Sequence, residues 1–474
     1  MKHIYSSRIR KSCYVKIHSS TINLILGGIF TILVGCESFV EVEPPQSELV
    51  GDVVFKEIGT ANATLAAVYT QLKDDILLAG NSSGIGYKLG LYSDELDYYG
   101  SPGVPGQFFY NNSLIPSDGA SLTIWSGGYN VVYNTNAIIE GVNNSEFLIA
   151  NDKNQIKGES LFIRALVHFY LVNLFGDIPY ITTTDYTVNS NVIKNSTQEV
   201  YNQLIIDLQE AKTLLPEDYV TGERIRINKG AVSALLSRVY LYAQEWEKAE
   251  TECTSIISNT SQYNLETDLE NVFLKENTGT IWQLKPTNDG DATHEGLYIL
   301  TSAPPTNVTL TNNLFDAFEP GDERKTTWVG TITGDTETWS FSYKYKQKLV
   351  MGSSTEYSIV LRLAEQYLIR AEARAQQGNI PGAQSDLNTI RNRAGLSNTT
   401  ASDTSELIDA ILSERRVELF FEFGHRWFDL KRLGKLDDAL QSVKPGWDTT
   451  DALLPIPESE LLVNPNLEPQ NPGY

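Results

Sequence analysis

The sequence predicts a mainly α-helical protein in which helix pairs form a superhelical scaffold and a loop-rich lobe with short strands carries a ligand site. Apolar residues recur at helical spacing in seven segments: residues 159–175, 197–215, 228–244, 247–258, 361–377, 380–394 and 405–423. Between these segments the chain is rich in Gly, Thr, Asn and aromatic residues, with short strand-like runs such as residues 280–284 and 339–345. This alternation favours two structural parts over a uniform helical bundle.

Glycine and proline residues that end helices set the boundaries of both parts. Gly176 and Pro179 end the helix over 159–175, Pro216 ends the next, and Gly378 and Gly395 separate the last three. The scaffold is therefore expected over about residues 50–79, 129–260 and 361–440. The lobe is expected mainly over residues 80–128 and 265–351.

Two of the helix pairs share a pattern of small and large residues. The pattern is Ser237, Tyr240, Trp246, Ala249 and Cys253 in one pair, and Ala371, Gly378, Ile380, Ala383 and Leu387 in the other. Small residues let two helices approach closely, and large ones fill the groove between them. The pattern looks like a tetratricopeptide-type repeat, whose units bury their apolar faces by stacking on neighbours.

The first 35 residues are typical of a secretory signal. A basic head without Asp or Glu precedes an apolar run over residues 22–34, which is shorter than the ~20 residues of a membrane-spanning helix. The run ends in Leu33-Val34-Gly35-Cys36, which resembles a bacterial lipobox. We expect Cys36 to become the lipidated first residue of the mature chain, where each buried CH₂ contributes ~0.8 kcal/mol to anchoring. The alternative is an ordinary secreted protein with a chance Cys at this position.

After Cys36, an acidic segment with two prolines predicts an extended tether over residues 36–46, followed by one domain over 47–474. Removal of Cys13 with the signal and acylation of Cys36 leave Cys253 alone, so no intramolecular disulfide is expected. Cys253 lies in a helical pattern and is expected to be a small buried hydrophobic residue.

The net charge of the chain limits the classes of partner that we expect it to bind. A formal net charge of −22 should repel nucleic acid and anionic lipid, so neutral ligands fit better. The 24 Tyr and 7 Trp residues are suited to stacking on sugars, although protein cores use aromatic residues too.

Several segments in order resemble the SusD/RagB-like outer-membrane lipoproteins. They are residues 157–165, 174–179, 234–242, 362–373, 414–422, 426–432, 454–457 and 471–474. The resemblance implies a surface-exposed lipoprotein of the outer membrane that caps a SusC-like TonB-dependent transporter, captures an oligosaccharide and passes it to the pore. It also implies four tetratricopeptide-like units that support an irregular binding lobe.

The charged residues within these segments are expected to be structural. Glu414, Arg415, Arg416 and Glu418 lie on one helix near Arg426, Asp429 and Arg432. Carboxylates and guanidiniums clustered in this way usually form buried bidentate pairs that fix helix packing. His425 is likewise expected to pack or hydrogen-bond and not to catalyse.

Sugar binding needs an aromatic platform for the C–H face of the ring, together with amides and carboxylates for the hydroxyls. The resemblance implies that ligand contacts come mainly from the two loop-rich segments. The predicted ligand-binding residues there are Asp94, Tyr98, Tyr99, Phe109, Asn111, Tyr298 and Trp328. For each aromatic residue, core packing is the alternative. Trp125, Trp282 and Trp427 lie in apolar patterns and are assigned to the core.

The sequence contains no His-Glu-x-x-His, no phosphate loop and no paired-Cys metal spacing. We therefore expect a binding protein without catalytic residues, metal or cofactor. Two carboxylates for glycoside hydrolysis can lie far apart in a chain, so a glycan-degrading enzyme stays an alternative. A binder of another nutrient such as a peptide and a purely structural envelope protein are the others.

Overall fold

The computed structural model describes residues 54–474. The signal, Cys36 and the tether lie outside these residues. The α-helices are α1 (Ile58–Asp74), α2 (Ile85–Tyr92), α3 (Pro105–Tyr110), α4 (Ala120–Asn144), α5 (Ala150–Phe175), α6 (Tyr186–Asn189), α7 (Thr197–Leu214), α8 (Lys229–Tyr242), α9 (Trp246–Ile257), α10 (Asn312–Phe315), α11 (Glu323–Trp328), α12 (Leu363–Gln376), α13 (Ile380–Arg393), α14 (Thr404–Glu418), α15 (His425–Arg432), α16 (Leu436–Leu440) and α17 (Glu458–Val463). The strands are β1 (Leu96–Tyr98), β2 (Thr280–Leu284), β3 (Val308–Leu310), β4 (Val329–Thr333), β5 (Thr338–Ser342) and β6 (Ser358–Arg362).

Local sequence sets the ends of the scaffold helices. Ser196 and Glu199 form a capping box at the start of α7. Asn379 and Asp403 each accept a backbone hydrogen bond at the start of α13 and α14. Gly176 follows the last residue of α5 with a φ of 75°, a conformation that favours glycine. These capping residues and Gly176 therefore mark the ends of the scaffold helices.

The scaffold is an array of helices that pack on their neighbours in the chain. Helix α4 packs on α5, α5 on α7, α7 on α8, α8 on α9, α9 on α12, and α12 on both α13 and α14. From Gly158 onward α5 is buried almost throughout, so it forms the centre of the array. The mainly helical fold predicted from the sequence is confirmed.

The tetratricopeptide-like packing is confirmed in the two helix pairs α8/α9 and α12/α13. The small residues Ser237, Ala249, Ala371 and Ala383 have no exposed surface. Cys253 is also fully buried and is a free thiol, and burial raises its pKa. Ser237 Oγ donates a 2.7 Å hydrogen bond to Gln366 Oε1 and so joins the first pair to the second.

The loop-rich lobe is held by an antiparallel sheet of order β1-β3-β5-β4. Strand β1 comes from residues 80–128 and pairs with β3, which places Tyr98 opposite Val308. The sheet therefore joins the two predicted loop-rich segments into one lobe. A second pair, β2 with β6, lies next to the scaffold, and β2 coincides with the predicted strand-like run at 280–284.

The structure differs from the prediction at the end of one helix and in the presence of another. The helix predicted over 405–423 ends at Glu418, because Phe421 and Phe423 have φ values of 57° and 40°, which a right-handed helix does not allow. The segment 80–128 contains helix α2, whose eight residues are all buried. A helix buried on every side carries no amphipathic periodicity, so the sequence pattern did not show it.

Among residues 54–474, every helix is too short or too polar to cross a membrane.

Arg238 and Glu365 form a bidentate pair between α8 and α12, with both N–O distances at 2.7 Å and side chains 2% and 1% exposed. We predict that Arg238→Met lowers the free energy of unfolding by about 3–5 kcal/mol, because it leaves a buried carboxylate without a partner. Urea unfolding measures the loss. Lys248→Met, which removes an exposed pair with Glu245, is the control and should leave the midpoint unchanged. An unchanged midpoint for Arg238→Met would show that this pair does not hold the two helix pairs together.

Candidate functional site

The two loop-rich segments enclose a cleft of about 440 Å³ beside the end of β1. This volume lies within the usual range of small-ligand sites, ~300–1,000 Å³. Its polar and aromatic lining residues are Ser82, Ser83, Tyr87, Lys88, Tyr98, Ser101, Phe109, Thr123 and Asn307. The cleft is therefore lined by hydroxyls, one amide, one ammonium and three aromatic rings.

Tyr98 stands at the end of β1 and is partly exposed in this cleft. Its hydroxyl donates a 2.8 Å hydrogen bond to the carbonyl of Ser101, which fixes the ring. Gly106 makes room for it, since a Cβ there would lie 2.8 Å from Tyr98 Cε2. A Cβ on Gly100 would lie 2.5 Å from the Tyr98 hydroxyl. The ring is thus held in place by contacts that only glycine permits.

Tyr87 and Asn307 connect the two segments across the cleft. The Tyr87 hydroxyl donates to Asn307 Oδ1 at 3.1 Å, and the Tyr99 amide donates to the carbonyl of Asn307 at 2.6 Å. The Tyr87 ring packs against Tyr298 with 5.5 Å between centroids. Burial raises the pKa of Tyr87 far above its ordinary value, so its hydroxyl stays neutral and can serve as a hydrogen-bond donor.

Of the seven predicted ligand residues, the structure exposes three. Tyr98 lines the cleft. Tyr99 is 37% exposed but lies next to Tyr98 in the chain at the strand end, where successive side chains point to opposite faces. Its hydroxyl accepts a 3.2 Å hydrogen bond from Trp339 Nε1. Asn111 is exposed at the end of α3 and does not line the cleft.

The structure buries Phe109, Tyr298 and Trp328, which are 0%, 5% and 0% exposed. Phe109 backs the cleft wall and packs edge-on against Tyr92. Tyr298 packs against Tyr87 and Phe421. These side chains form the lobe's own apolar interior, which a loop-rich segment needs as much as a helical one does.

The side chain of Trp328 is fully buried. Its Nε1 donates to the carbonyl of Leu269 at 2.9 Å, and its ring lies edge-on to Phe273. Its polar atom is therefore satisfied inside the protein, as buried Trp usually requires. Trp125, Trp282 and Trp427 are also buried, and their assignment to the core is confirmed.

The structure also buries Asp94, which is 3% exposed. Arg426 binds it through two 2.8 Å hydrogen bonds and Arg416 through one of 2.7 Å. Burial acts to raise the pKa of Asp94, but the hydrogen bonds and charge of Arg426, with the charge of Arg416, hold it below its ordinary value. Asp94 therefore ties the lobe to helices α14 and α15 and is not available to a ligand.

The predicted structural role of the charged cluster is confirmed. Glu418 accepts from Arg324, Arg362 and Arg393, and these charges hold its pKa well below the ordinary value against the effect of burial. Arg415 binds Asp429 at 2.6 Å. His425 is 5% exposed, and burial lowers its pKa well below the ordinary value, so it packs as a neutral side chain.

The sequence prediction missed several lining residues, among them Tyr87 and Lys88. Both lie in the fully buried helix α2, where no periodicity distinguishes one face. The available signal was a lysine inside the otherwise uncharged run 85–92. Within the part of the chain that the structure describes, no group of three or more His, Cys, Asp or Glu residues could hold a metal ion.

Comparison with known proteins shows which family this chain resembles. The model of the SusD family matches residues 306–474, and a model described as starch-binding, associating with outer membrane, matches residues 105–241. SusD-like protein P2 of Formosa agariphila is 29% identical, over 93% of this chain and 97% of its own.

Solved structures agree. A laminarin-binding SusD-like protein is 26% identical with a TM-score of 0.75, covering 88% of this chain and 99% of its own. A SusD superfamily protein of Bacteroides vulgatus is 22% identical with a TM-score of 0.76, covering 89% of this chain and 100% of its own, and supports the fold. These comparisons confirm the resemblance to the SusD family that the sequence predicts.

We predict that Asp94→Asn lowers the free energy of unfolding at pH 7 by about 3 kcal/mol, because two guanidiniums lose their buried counter-charge. The native pKa of Asp94 lies below the unfolded value of about 3.9, so its stabilisation is present above that pH and is lost as the pH falls. The difference from the wild type should therefore shrink below about pH 4. Urea unfolding at several pH values tests this.

Asp409→Asn is the control for this prediction, because it removes an exposed carboxylate paired with Lys435. It should change stability little, since exposed pairs contribute about 0–1 kcal/mol. If the wild type exceeds Asp94→Asn in free energy of unfolding by as much at pH 3 as at pH 7, the ion-pair explanation is wrong.

Proposed function

We propose that this protein is a lipid-anchored, non-catalytic glycan-binding protein of the cell surface, which captures an oligosaccharide in the cleft beside Tyr98 and passes it to a SusC-like TonB-dependent transporter. The observation that carries this proposal is the preformed cleft itself, with a fixed tyrosine ring at its edge. It is built by both loop-rich segments.

The lining chemistry suits a sugar. The partly exposed ring of Tyr98 offers apolar surface to the C–H face of a pyranose ring, and Asn307, Ser82, Ser101 and Thr123 supply donors and acceptors for hydroxyl groups. The main-chain and glycine contacts that fix Tyr98 reduce the entropy that binding must otherwise overcome. The SusD-like relative described as laminarin binding supports a glycan as the ligand.

The same lining supports binding without hydrolysis. Glycoside hydrolysis uses two carboxyl groups on either side of the scissile bond, about 5–10 Å apart. Within residues 54–474, the cleft lining contains neither Asp nor Glu. An enzyme acting in this cleft would lack the acid that protonates the leaving group. Incubation of the purified protein with polysaccharide and analysis for new reducing ends tests the enzyme alternative.

Membrane attachment would come from acylation of Cys36, which the lipobox sequence predicts. The acidic residues 36–46 would separate the lipid from the folded domain. A lid held this way could move over its transporter without leaving the membrane. The family model described as associating with outer membrane supports this location.

We predict that Tyr98→Ala weakens oligosaccharide binding at least tenfold, since it removes the partly exposed stacking surface of the cleft. Isothermal titration against a panel of neutral and acidic oligosaccharides measures the effect. Tyr186→Ala is the matched control, because Tyr186 is 79% exposed on helix α6 and does not line the cleft. Equal loss in both variants, or none in Tyr98→Ala, would move the ligand site elsewhere.

We predict that the affinity-tagged full-length protein co-purifies with a TonB-dependent transporter from detergent-solubilised membranes of its native host. Cys36→Ala should leave the membrane fraction, because a chain without acyl groups has no lipid anchor. Mass spectrometry of the co-purified material identifies the partner. A chain that binds glycans but brings down no transporter would remove the hand-over step and retain the binding function.

A further inference from the structure

Lys88 is a buried lysine in the lining of the cleft. It lies on helix α2, lines the cleft and is only 5% exposed. Its Nζ donates a hydrogen bond to the carbonyl of Ser83. Among the described residues, no carboxylate forms an ion pair with it, and the cleft lining contains no Asp or Glu. Its positive charge is therefore not neutralised by the lining of its own site.

The protein as a whole is acidic. The chain contains 59 acidic residues against 37 lysines and arginines. Lys344 pairs with Glu422 and Arg238 with Glu365, whereas Lys444, which is as buried as Lys88, also donates to backbone carbonyls. Holding an ammonium away from water without a counter-charge is unfavourable, and such groups are typical of functional sites. Burial accordingly lowers the pKa of Lys88 from its ordinary value to about 8.

We infer that Lys88 recognises an anion and that the glycan held in this cleft carries a carboxylate or sulfate group. The inference rests on the proposed function, because it assigns the ligand class of the same cleft. An acidic sugar would supply the counter-charge that the lining lacks. A charged hydrogen bond from the ammonium is roughly twice as strong as a neutral one, and more so away from bulk water.

The overall negative charge of the protein favours neutral ligands at long range, whereas Lys88 acts at contact. Charges farther away than the Debye length, about 10 Å at 0.1 M salt, are largely screened, but a partner in a buried cleft is not. The local cation therefore decides the ligand class, and the net charge of −22 mainly affects the rate of approach.

The test compares matched oligosaccharides by isothermal titration. One pair is a galacturonic acid hexasaccharide and its carboxyl-reduced form, and the second is a sulfated oligosaccharide and its desulfated form. The wild type should prefer at least one anionic probe over its neutral counterpart at least tenfold. Lys88→Met should abolish that preference, and Lys88→Arg should retain a part of it. The two arms distinguish a carboxylate from a sulfate ligand.

Lys248→Met is the matched control, since it removes the same charge from the exposed surface of α9. It should leave the preference unchanged. Thermal unfolding confirms that each variant is folded.

A pH series on the wild type tests the inference without any substitution. The affinity for the anionic probe should fall as the pH rises through 8, because Lys88 loses its charge, while that for the neutral form stays constant. The other titratable groups facing Lys88 in the cleft are the Tyr87 and Tyr98 hydroxyls, whose pKa values lie above the ordinary value and outside this range.

Equal binding of neutral and anionic forms, or an anion preference that survives in Lys88→Met, would overturn the inference and leave the proposed function intact. Absence of binding to every glycan of the panel would overturn the proposed function itself, and the inference with it.

Discussion

The architecture depends on a buried network of ion pairs centred on Glu418. Its carboxylate receives guanidinium groups from α11, from β6 and from α13, through Arg324, Arg362 and Arg393. Three parts of the chain that are distant in sequence are thereby fixed around the end of α14. Removing one member of such a network leaves an uncompensated charge inside the protein, which costs several kcal/mol. The network therefore specifies one arrangement of scaffold and lobe.

Asp94 extends the same principle to the ligand lobe. It lies immediately before β1 on the chain and is bound by Arg416 of α14 and Arg426 of α15. The strand that ends in Tyr98 is thus anchored to the rigid scaffold only a few residues from the cleft. A binding side chain on such support loses little freedom when a ligand binds, which is a general requirement of precise sites. The ion pairs therefore hold Tyr98 in position at the edge of the cleft.

The cleft itself combines a fixed aromatic ring, neutral hydroxyls and amides, and one ammonium. This composition differs from the acidic surface implied by the chain as a whole. Proteins of one fold take different ligands by changing such loop residues while the scaffold is kept. Lys88 illustrates this, because it sits on a buried helix within the lobe and places a charge where the surrounding loops supply none.

The sequence by itself determined the helical scaffold, its punctuation and the structural role of the charged cluster. Apolar periodicity, capping residues and glycine stops are local properties, so they are visible in α7, α13 and α14 without coordinates. The tryptophans in apolar patterns were assigned to the core for the same reason. Tertiary structure alone decided which lobe residues line the cleft. Tyr98 and Trp328 are both aromatic residues in loop-rich segments, yet one lines the cleft and the other is fully buried. Which of them faces solvent depends on pairing between strands more than two hundred residues apart, and no local pattern records that pairing.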